Sequence, residues 1–338
     1  MRSALPITRR RALQITAAVC GSLLLPLPAA ARLEDLILVK WRGIALGARA
    51  EINLYADDER AARETVRRAV LEIRRLEAIF SLYMPDSAIS LLNRDGSLSH
   101  PPLDLLNLIS TAKAVGTSTS GAFDMTIQPL WTLYARHFAR NPGSSAGPDT
   151  RDLDRAVGLV DYQAVNLAEH HIAFEEPGMA ISLNGIAQGF ITDRIADLLR
   201  RNGFDNLLVN AGEIRGVGTH PSGRPWTVGI AAAANNAAPS RTLEIIDQAT
   251  ATSAPLGTPL NLSGTAHHLF DPRTGACANH HQSITVTAAT ATLADAYSTA
   301  FSAMTWPDVC AVGQDIPGLQ VDSLDADGTW RTLQTKRS

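Results

Sequence analysis

Apolar and polar residues along the chain fall into a few clear patterns. Residues 44–55 alternate apolar and polar side chains through Ala50, Ile52 and Leu54 and predict a first strand. In residues 57–80, Val66, Val70, Ile73, Leu76 and Phe80 recur at helical spacing with Arg and Glu opposite, predicting an amphipathic helix. Residues 103–115 predict another helix. Residues 179–183 predict a strand, which ends in a turn at Gly185 and leads into a helix that points Ile191, Ile195 and Leu198 or Leu199 inward. Residues 206–218 predict a buried strand running into a glycine bend, and short strands follow at 226–231, 241–246 and 250–253. Near the C-terminal end a turn built by Asp271, Pro272 and Gly275 precedes the β-branched run 283–288, a further strand. From about Thr292 the chain predicts a helix with small residues on one face. Residues 141–150, rich in Gly, Ser and Pro, predict a surface loop.

The first segment departs from these patterns. Thr8-Arg9-Arg10-Arg11-Ala12-Leu13 has the form of a twin-arginine signal, followed by an apolar run to Leu27 and by Ala29-Ala30-Ala31, a small-residue cleavage site. The apolar run is shorter than the ~20 residues of a spanning helix and is broken by Pro26 and Pro28, so cleavage is expected rather than anchoring. The expected division is a signal peptide over 1–31 and one catalytic unit over 32–338, placed in the periplasm with no stable membrane span after cleavage. Loss of four arginines and no acids takes the formal net charge from −3 to −7. A mildly acidic mature chain excludes non-specific nucleic-acid binding. The 45% hydrophobic and 19% charged content is that of an ordinary globular protein. Cys20 leaves with the leader. Cys277 and Cys310 remain, as a disulfide or as two independent thiols.

The candidate chemistry lies in the C-terminal helix. Asp295 and Thr299 are one turn apart, so a carboxylate and a hydroxyl share a face and offer two oxygens to a hard cation. An acid near a helix start and a Thr bonding back to a carbonyl have the same spacing. The neighbourhood separates the two readings. His268-Leu269-Phe270-Asp271-Pro272-Arg273-Thr274-Gly275, then a strand, then Ala294-Asp295-Ala296-Tyr297-Ser298-Thr299-Ala300 resembles the ApbE-type FAD:protein FMN transferases. Four further blocks follow the same family order. They are Phe80 to Asn93, with Tyr83; Gly121-Ala122-Phe123-Asp124-Met125-Thr126 through Pro129-Leu130; Ser182-Leu183-Asn184-Gly185-Ile186-Ala187-Gln188-Gly189; and Asn206 to Gly218, with Glu213 at an acidic position. A looser match, Leu46-Gly47-Ala48, stands where the family carries a Met-Gly-Thr-like motif. The chain departs from the pattern at Ser182, where Asp is usual, and at Gln188, where Lys is usual. Those departures bear on rate and nucleotide affinity.

The resemblance spans roughly residues 44–312. It implies an α+β fold, one compact unit of mixed sheets and packed helices; no Gly-x-Gly-x-x-Gly fingerprint of a doubly wound nucleotide fold occurs. It implies FAD as substrate and Mg2+ as cofactor, with FMN transferred to a threonine hydroxyl of an acceptor flavoprotein subunit of a membrane redox complex and AMP released. It implies magnesium ligands at Asp295, Thr299 and the Gly185 carbonyl, with Ser298 adding an oxygen. It implies FAD contacts at Leu46, Tyr83, Ala122, Phe123, Asp124, Ser182, Gln188 and Leu269, and His268 as acid or base beside Asp295 as the second catalytic residue. The glycine turn and helix N-terminus after residue 183 read as an anion site for the pyrophosphate. A FAD pyrophosphatase and a non-catalytic FAD-binding accessory protein are the alternatives.

Overall fold

A computed structural model describes residues 36–230 and 241–336. The segment expected to be a signal peptide, residues 1–31, lies outside the described residues. The chain opens with β1 (Ile37–Ala45) and β2 (Ala48–Ala56), then α1 (Glu59–Phe80), α2 (Ala88–Asp95), β3 (Ser97–Ser99) and α3 (Leu103–Ser118). The middle holds α4 (Gln128–Arg140), α5 (Thr150–Val157), β4 (Val165–Ala168), β5 (His171–Phe174) and α6 (Ala187–Arg201). Then come β6 (Leu207–Asn210), β7 (Ile214–Val217), β8 (Trp226–Ile230), β9 (Arg241–Ile245) and β10 (Gln248–Ser253). The last part is β11 (His281–Ala288), α7 (Ala291–Ser302), α8 (Trp306–Gly313), β12 (Gln320–Asp325) and β13 (Trp330–Gln334).

An eight-stranded sheet in the order β1-β2-β6-β7-β10-β11-β12-β13 is the backbone of the molecule, and every pair in it is antiparallel. The helices α1, α6 and α7 pack on one face. Ile52 and Leu54 of β2, Ile73, Leu76 and Phe80 of α1, Ile191, Ile195 and Leu199 of α6, and Phe301 of α7 share one continuous apolar core. Each such side chain contributes about 2 kcal/mol by leaving water. The ribbon β8-β9 stands apart from the main sheet and builds a second cluster with Leu208 and Ile214 through Trp226, Val228 and Ile245. The architecture is the expected α+β unit. Among the described residues no helix is long and apolar enough to cross a membrane.

The α6–α7 crossing decides where the site falls. A Cβ on Gly189 would stand 2.2 Å from the Ala291 carbonyl oxygen, so only glycine lets the two helices meet this closely. Asp193 of α6 then accepts from the Ala291 and Thr292 amides, both at 2.8 Å, and from the Thr292 hydroxyl at 2.6 Å. One carboxylate thereby caps the start of α7 from a neighbouring helix. Arg215 of β7 holds that carboxylate from its other side at 2.8 Å.

Two sequence expectations are corrected. Residues 44–55 form no single strand, because the chain reverses at Leu46 (φ 44) and Gly47 (φ 81). Two consecutive positive φ values are what a tight hairpin turn between twisted strands requires. Residues 179–183 pair with no strand among the described residues. Their backbone is held instead by Asn93, whose Oδ1 accepts from the Ile181 amide at 2.7 Å and whose Nδ2 donates to the Ile181 carbonyl at 2.8 Å. The Ser182 amide donates to the Met125 carbonyl at 2.7 Å. An apolar run looks like a strand whether a ladder or a side-chain amide satisfies its backbone.

Candidate active site

A cavity of about 1920 Å³, counting the space at its open mouth, lies where α6, α7, the β7–β10 edge and the 257–272 loop converge. Leu46, Tyr83, Ala122, Phe123, Asp124, Ser182, Gly185, Gln188, His268, Leu269, Asp295 and Thr299 all line it. These residues come from segments far apart in sequence, and the fold brings them to one wall.

The Gly185 carbonyl and the Thr299 hydroxyl meet in the cavity wall, and Asp295, one helical turn before Thr299, lines the same cavity. Thr299 Oγ1 lies 3.4 Å from the Gly185 carbonyl oxygen. A Cβ on Gly185 would stand 2.7 Å from Thr299 Oγ1, so glycine at this position is what lets the two oxygens approach. Asp295 is 4% exposed and accepts from the Gly189 amide at 3.0 Å through Oδ2; Oδ1 has no hydrogen-bond partner among the described residues. Burial pushes its carboxyl above the ordinary range, and neighbouring Asp193 pushes it the same way, against the stabilising Gly189 bond. Glu213 is 6% exposed, lines the same cavity, and is held well above its ordinary value by burial and then by Asp295. Two buried carboxyl groups facing one space without a cationic side chain fit a bound cation, and a carboxylate, a hydroxyl and a carbonyl are the oxygen donors a hard ion such as Mg2+ takes. Among the described residues no three His, Cys, Asp or Glu side chains form a metal cluster, so the mixed oxygen set is the one that fits.

Three expectations change here, and the open alternative for the two cysteines is resolved. Ser298 does not line the cavity, and its hydroxyl is engaged within the protein, donating to the Asp295 carbonyl at 3.0 Å and pairing with Ser253 at 2.9 Å. Asp124 is in the wall, yet its carboxylate is engaged within the protein. Oδ1 accepts from the Thr126 amide and hydroxyl at 2.7 and 2.5 Å, and Oδ2 from the Tyr162 amide at 2.9 Å. It caps the turn at Met125, and Ala122 and Phe123 line the cavity beside it. The start of α6 has most of its amides engaged, and only that of Gln188 is without a partner among the described residues. The Ile186 and Ala187 amides donate to the Leu183 carbonyl, the Gly189 amide to Asp295 and the Phe190 amide to the Ile186 carbonyl. Cys277 and Cys310 are both free thiols.

His268 sits in the wall with its Nδ1 buried and without a partner among the described residues. Burial, and then adjacent His267, pushes its pKa down to about 4, so the ring is neutral near pH 7. Tyr83 is 48% exposed and edges the mouth.

Sequence reasoning missed Trp131, Phe270 and the threonines of β10 and β11. Trp131 follows the Pro129-Leu130 block by one residue, which was the available signal. Thr252 and Thr285 bond each other at 2.9 Å across the strands, and Thr250 Oγ1 is buried without a partner among the described residues. All three threonines line the cavity together with Val228 and Ile230 of the ribbon.

The fold is an α+β unit with a cavity lined by aromatic, apolar and oxygen-bearing side chains. The chain belongs to the ApbE family, whose sequence profile matches residues 46–321. It is 25% identical over 323 residues to an Escherichia coli K12 FAD:protein FMN transferase, covering 92% of this chain and 91% of that one. It is 27% identical over 265 residues to the Salmonella typhimurium FAD:protein FMN transferase, covering 76% of each. In fold it is similar to the Pseudomonas stutzeri flavinyl transferase ApbE in its apo form, with TM-score 0.75 and 22% identity over 90% of this chain and 97% of that one. The Thermotoga maritima ApbE protein has TM-score 0.77 and 24% identity, covering 87% and 96%.

Proposed function

We propose that this chain is an FAD:protein FMN transferase that moves the FMN moiety of FAD onto a threonine hydroxyl of a partner flavoprotein and releases AMP. The observation that carries the reading is that Asp295, Thr299 and Gly185 line one cavity with an aromatic and apolar wall, in a chain of this family. In the step, the threonine oxygen bonds to the FMN phosphorus. The bond from that phosphorus to the bridging oxygen breaks, and AMP leaves with the electron pair. The hydroxyl proton needs an acceptor.

Asp295, Thr299 and the Gly185 carbonyl would hold Mg2+. Bound there, the ion supplies charge neutralisation for the pyrophosphate and the leaving AMP. Phe123, Trp131 and Phe270 give the cavity flat apolar surfaces against which a ring system stacks. Neutral His268 takes the hydroxyl proton, since a ring already protonated could not. Asp295 keeps its geometry through the Gly189 amide, and α7 keeps its position through Asp193. The threonine acceptor is read as a subunit of a membrane redox complex. The Arg9-Arg10 leader supports a periplasmic place of work.

Product analysis tests this. With FAD, Mg2+ and a threonine-containing acceptor, mass spectrometry should find the acceptor heavier by one FMN and AMP released in equal amount. Free FMN with an unmodified acceptor would identify a pyrophosphatase, and unchanged FAD a binding protein.

A further inference from the structure

The cavity that would receive a pyrophosphate holds no positive side chain. Among the described residues its lining includes the carboxyl groups of Asp124, Glu213 and Asp295 and no lysine or arginine. Residues 231–240, next to the ribbon that roofs it, contain none in sequence either. The arginines beside lining residues are engaged elsewhere. Arg215 pairs with Asp193 at 2.8 Å and Asp197 at 3.2 Å; Arg273 pairs with Asp271 at 2.8 Å and donates to the Ala303 carbonyl. His268 is neutral near pH 7. The α6 N-terminus, the other ordinary source of positive potential, has its Ile186, Ala187, Gly189 and Phe190 amides bonded to Leu183, Asp295 and Ile186, and keeps only the Gln188 amide without a partner among the described residues.

Gln188 occupies the place where a positive charge would act. It lies in the first turn of α6, lines the cavity, and is 6% exposed. Its carboxamide lies against Gly212, where a Cβ would stand 2.6 Å from Gln188 Cδ and 2.7 Å from Nε2. That contact and a φ of +112 both require glycine at 212, and the next residue is Glu213. The carboxamide has no hydrogen-bond partner among the described residues. It brings donors to the cavity and no charge.

Resting on the reading of this cavity as the FAD site, we propose that Gln188 makes nucleotide capture by this chain wholly cation-coupled: divalent metal supplies the positive charge that the pyrophosphate meets, and a lysine at 188 would uncouple binding from metal. Burial favours the neutral form of Asp295 and Glu213, but whenever either is ionised, phosphate oxygens beside it are repelled in a cavity that screens charge poorly. A cation bound with the nucleotide removes that repulsion, so each raises the affinity of the other by the same factor. Gln188 is in this sense a specificity-determining residue, selecting the metal–nucleotide complex over the free nucleotide.

The test is equilibrium binding, independent of turnover. FAD is titrated into the purified mature protein in saturating magnesium and in chelator, for wild type, Gln188→Lys and Gln188→Arg, with riboflavin as a phosphate-free probe. Wild type should lose about a hundredfold in FAD affinity in chelator, the upper range of ordinary coupling. Either basic variant that melts cooperatively should lose less than about tenfold. Riboflavin binding should not respond to magnesium in any of the proteins. Wild-type FAD affinity that survives chelation, or basic variants that show the wild-type loss, would overturn the inference while leaving a FAD-binding cavity in place. No FAD bound even in saturating magnesium would overturn the flavin reading and this inference together.

Discussion

Gly185 shows how much one position contributes beyond its motif. Any residue there supplies a carbonyl, yet an added Cβ would reach to 2.7 Å from Thr299 Oγ1. Gly185→Ala should therefore act like a lesion of Thr299, lowering transfer about tenfold or more through a displaced hydroxyl, on the scale of a misplaced catalytic contact. A magnesium titration should show the loss as a raised metal requirement, and an unchanged requirement would contradict the pairing. His268 makes a pH prediction. Its folded value of about 4 lies below the ordinary 6.5, so between those values the unfolded chain binds more protons than the folded one. Its contribution to stability is complete above pH 6.5 and is lost as pH falls toward 4. Thermal melts at pH 7 and pH 5 should differ less for His268→Gln than for wild type. At this scale the sequence carried Asp295, Thr299 and Gly185, because a one-turn spacing and a glycine turn are written in residue order. It did not separate Ser298 from Thr299: adjacent helix residues differ in side-chain direction by about 100°, and only the packing against β10 shows which one faces the cavity. Asp124 was equally ambiguous, since a carboxylate that caps a turn and one that meets a ligand have the same neighbours in sequence.

Two helices and one turn position those residues. Because a Cβ at Gly189 would stand 2.2 Å from a backbone oxygen, no rotamer change relieves it. Gly189→Ala should cost about 3 kcal/mol or more of stability and should also lower transfer, since the amide that orients Asp295 moves with the helix. Denaturant unfolding measures the first effect and the product assay the second; a variant as stable as wild type would show that the helices do not meet as described. Asp193→Ala removes the cap of α7 and leaves Arg215 without its nearer buried partner, a change on the order of 3–5 kcal/mol. The same scale explains which elements were legible. Helix α1 follows from strong 3.6-residue periodicity, and α7 from the small residues along one face, while its Thr290 cap emerges only in the structure. The hairpin at Leu46-Gly47 hid inside a continuous alternation. The extended run at 179–183 imitated a strand because its ladder partner is the Asn93 side chain, a tertiary contact that no local pattern announces.

Across the whole molecule the sheet sets the site where β7 begins and β10 ends, alongside α7, so residues separated by more than two hundred positions line one cavity. The order of the family blocks made that assembly legible; the roof formed by β8-β9 and the threonine wall under it were not, because they depend on a ribbon folding over the sheet. Export belongs to this scale as well. Mass spectrometry of protein recovered from the periplasm should show a mature chain beginning near Arg32, and an intact Met1 leader on a cytoplasmic protein would oppose it. The central claim is that Asp295, Thr299 and the Gly185 carbonyl form the magnesium site of an FMN transferase. The measurement that reaches it most directly is a magnesium titration of covalent FMN formation on a threonine acceptor, run for wild type, Thr299→Ala and Asp295→Ala. Asp295→Ala should lose at least about a hundredfold in rate, the scale of one preorganised electrostatic group, with little recovery at high magnesium. Thr299→Ala should lose less and recover in part. Equal transfer by all three proteins in the presence of chelator would contradict the account and return Asp295 to the role of a buried helix acid.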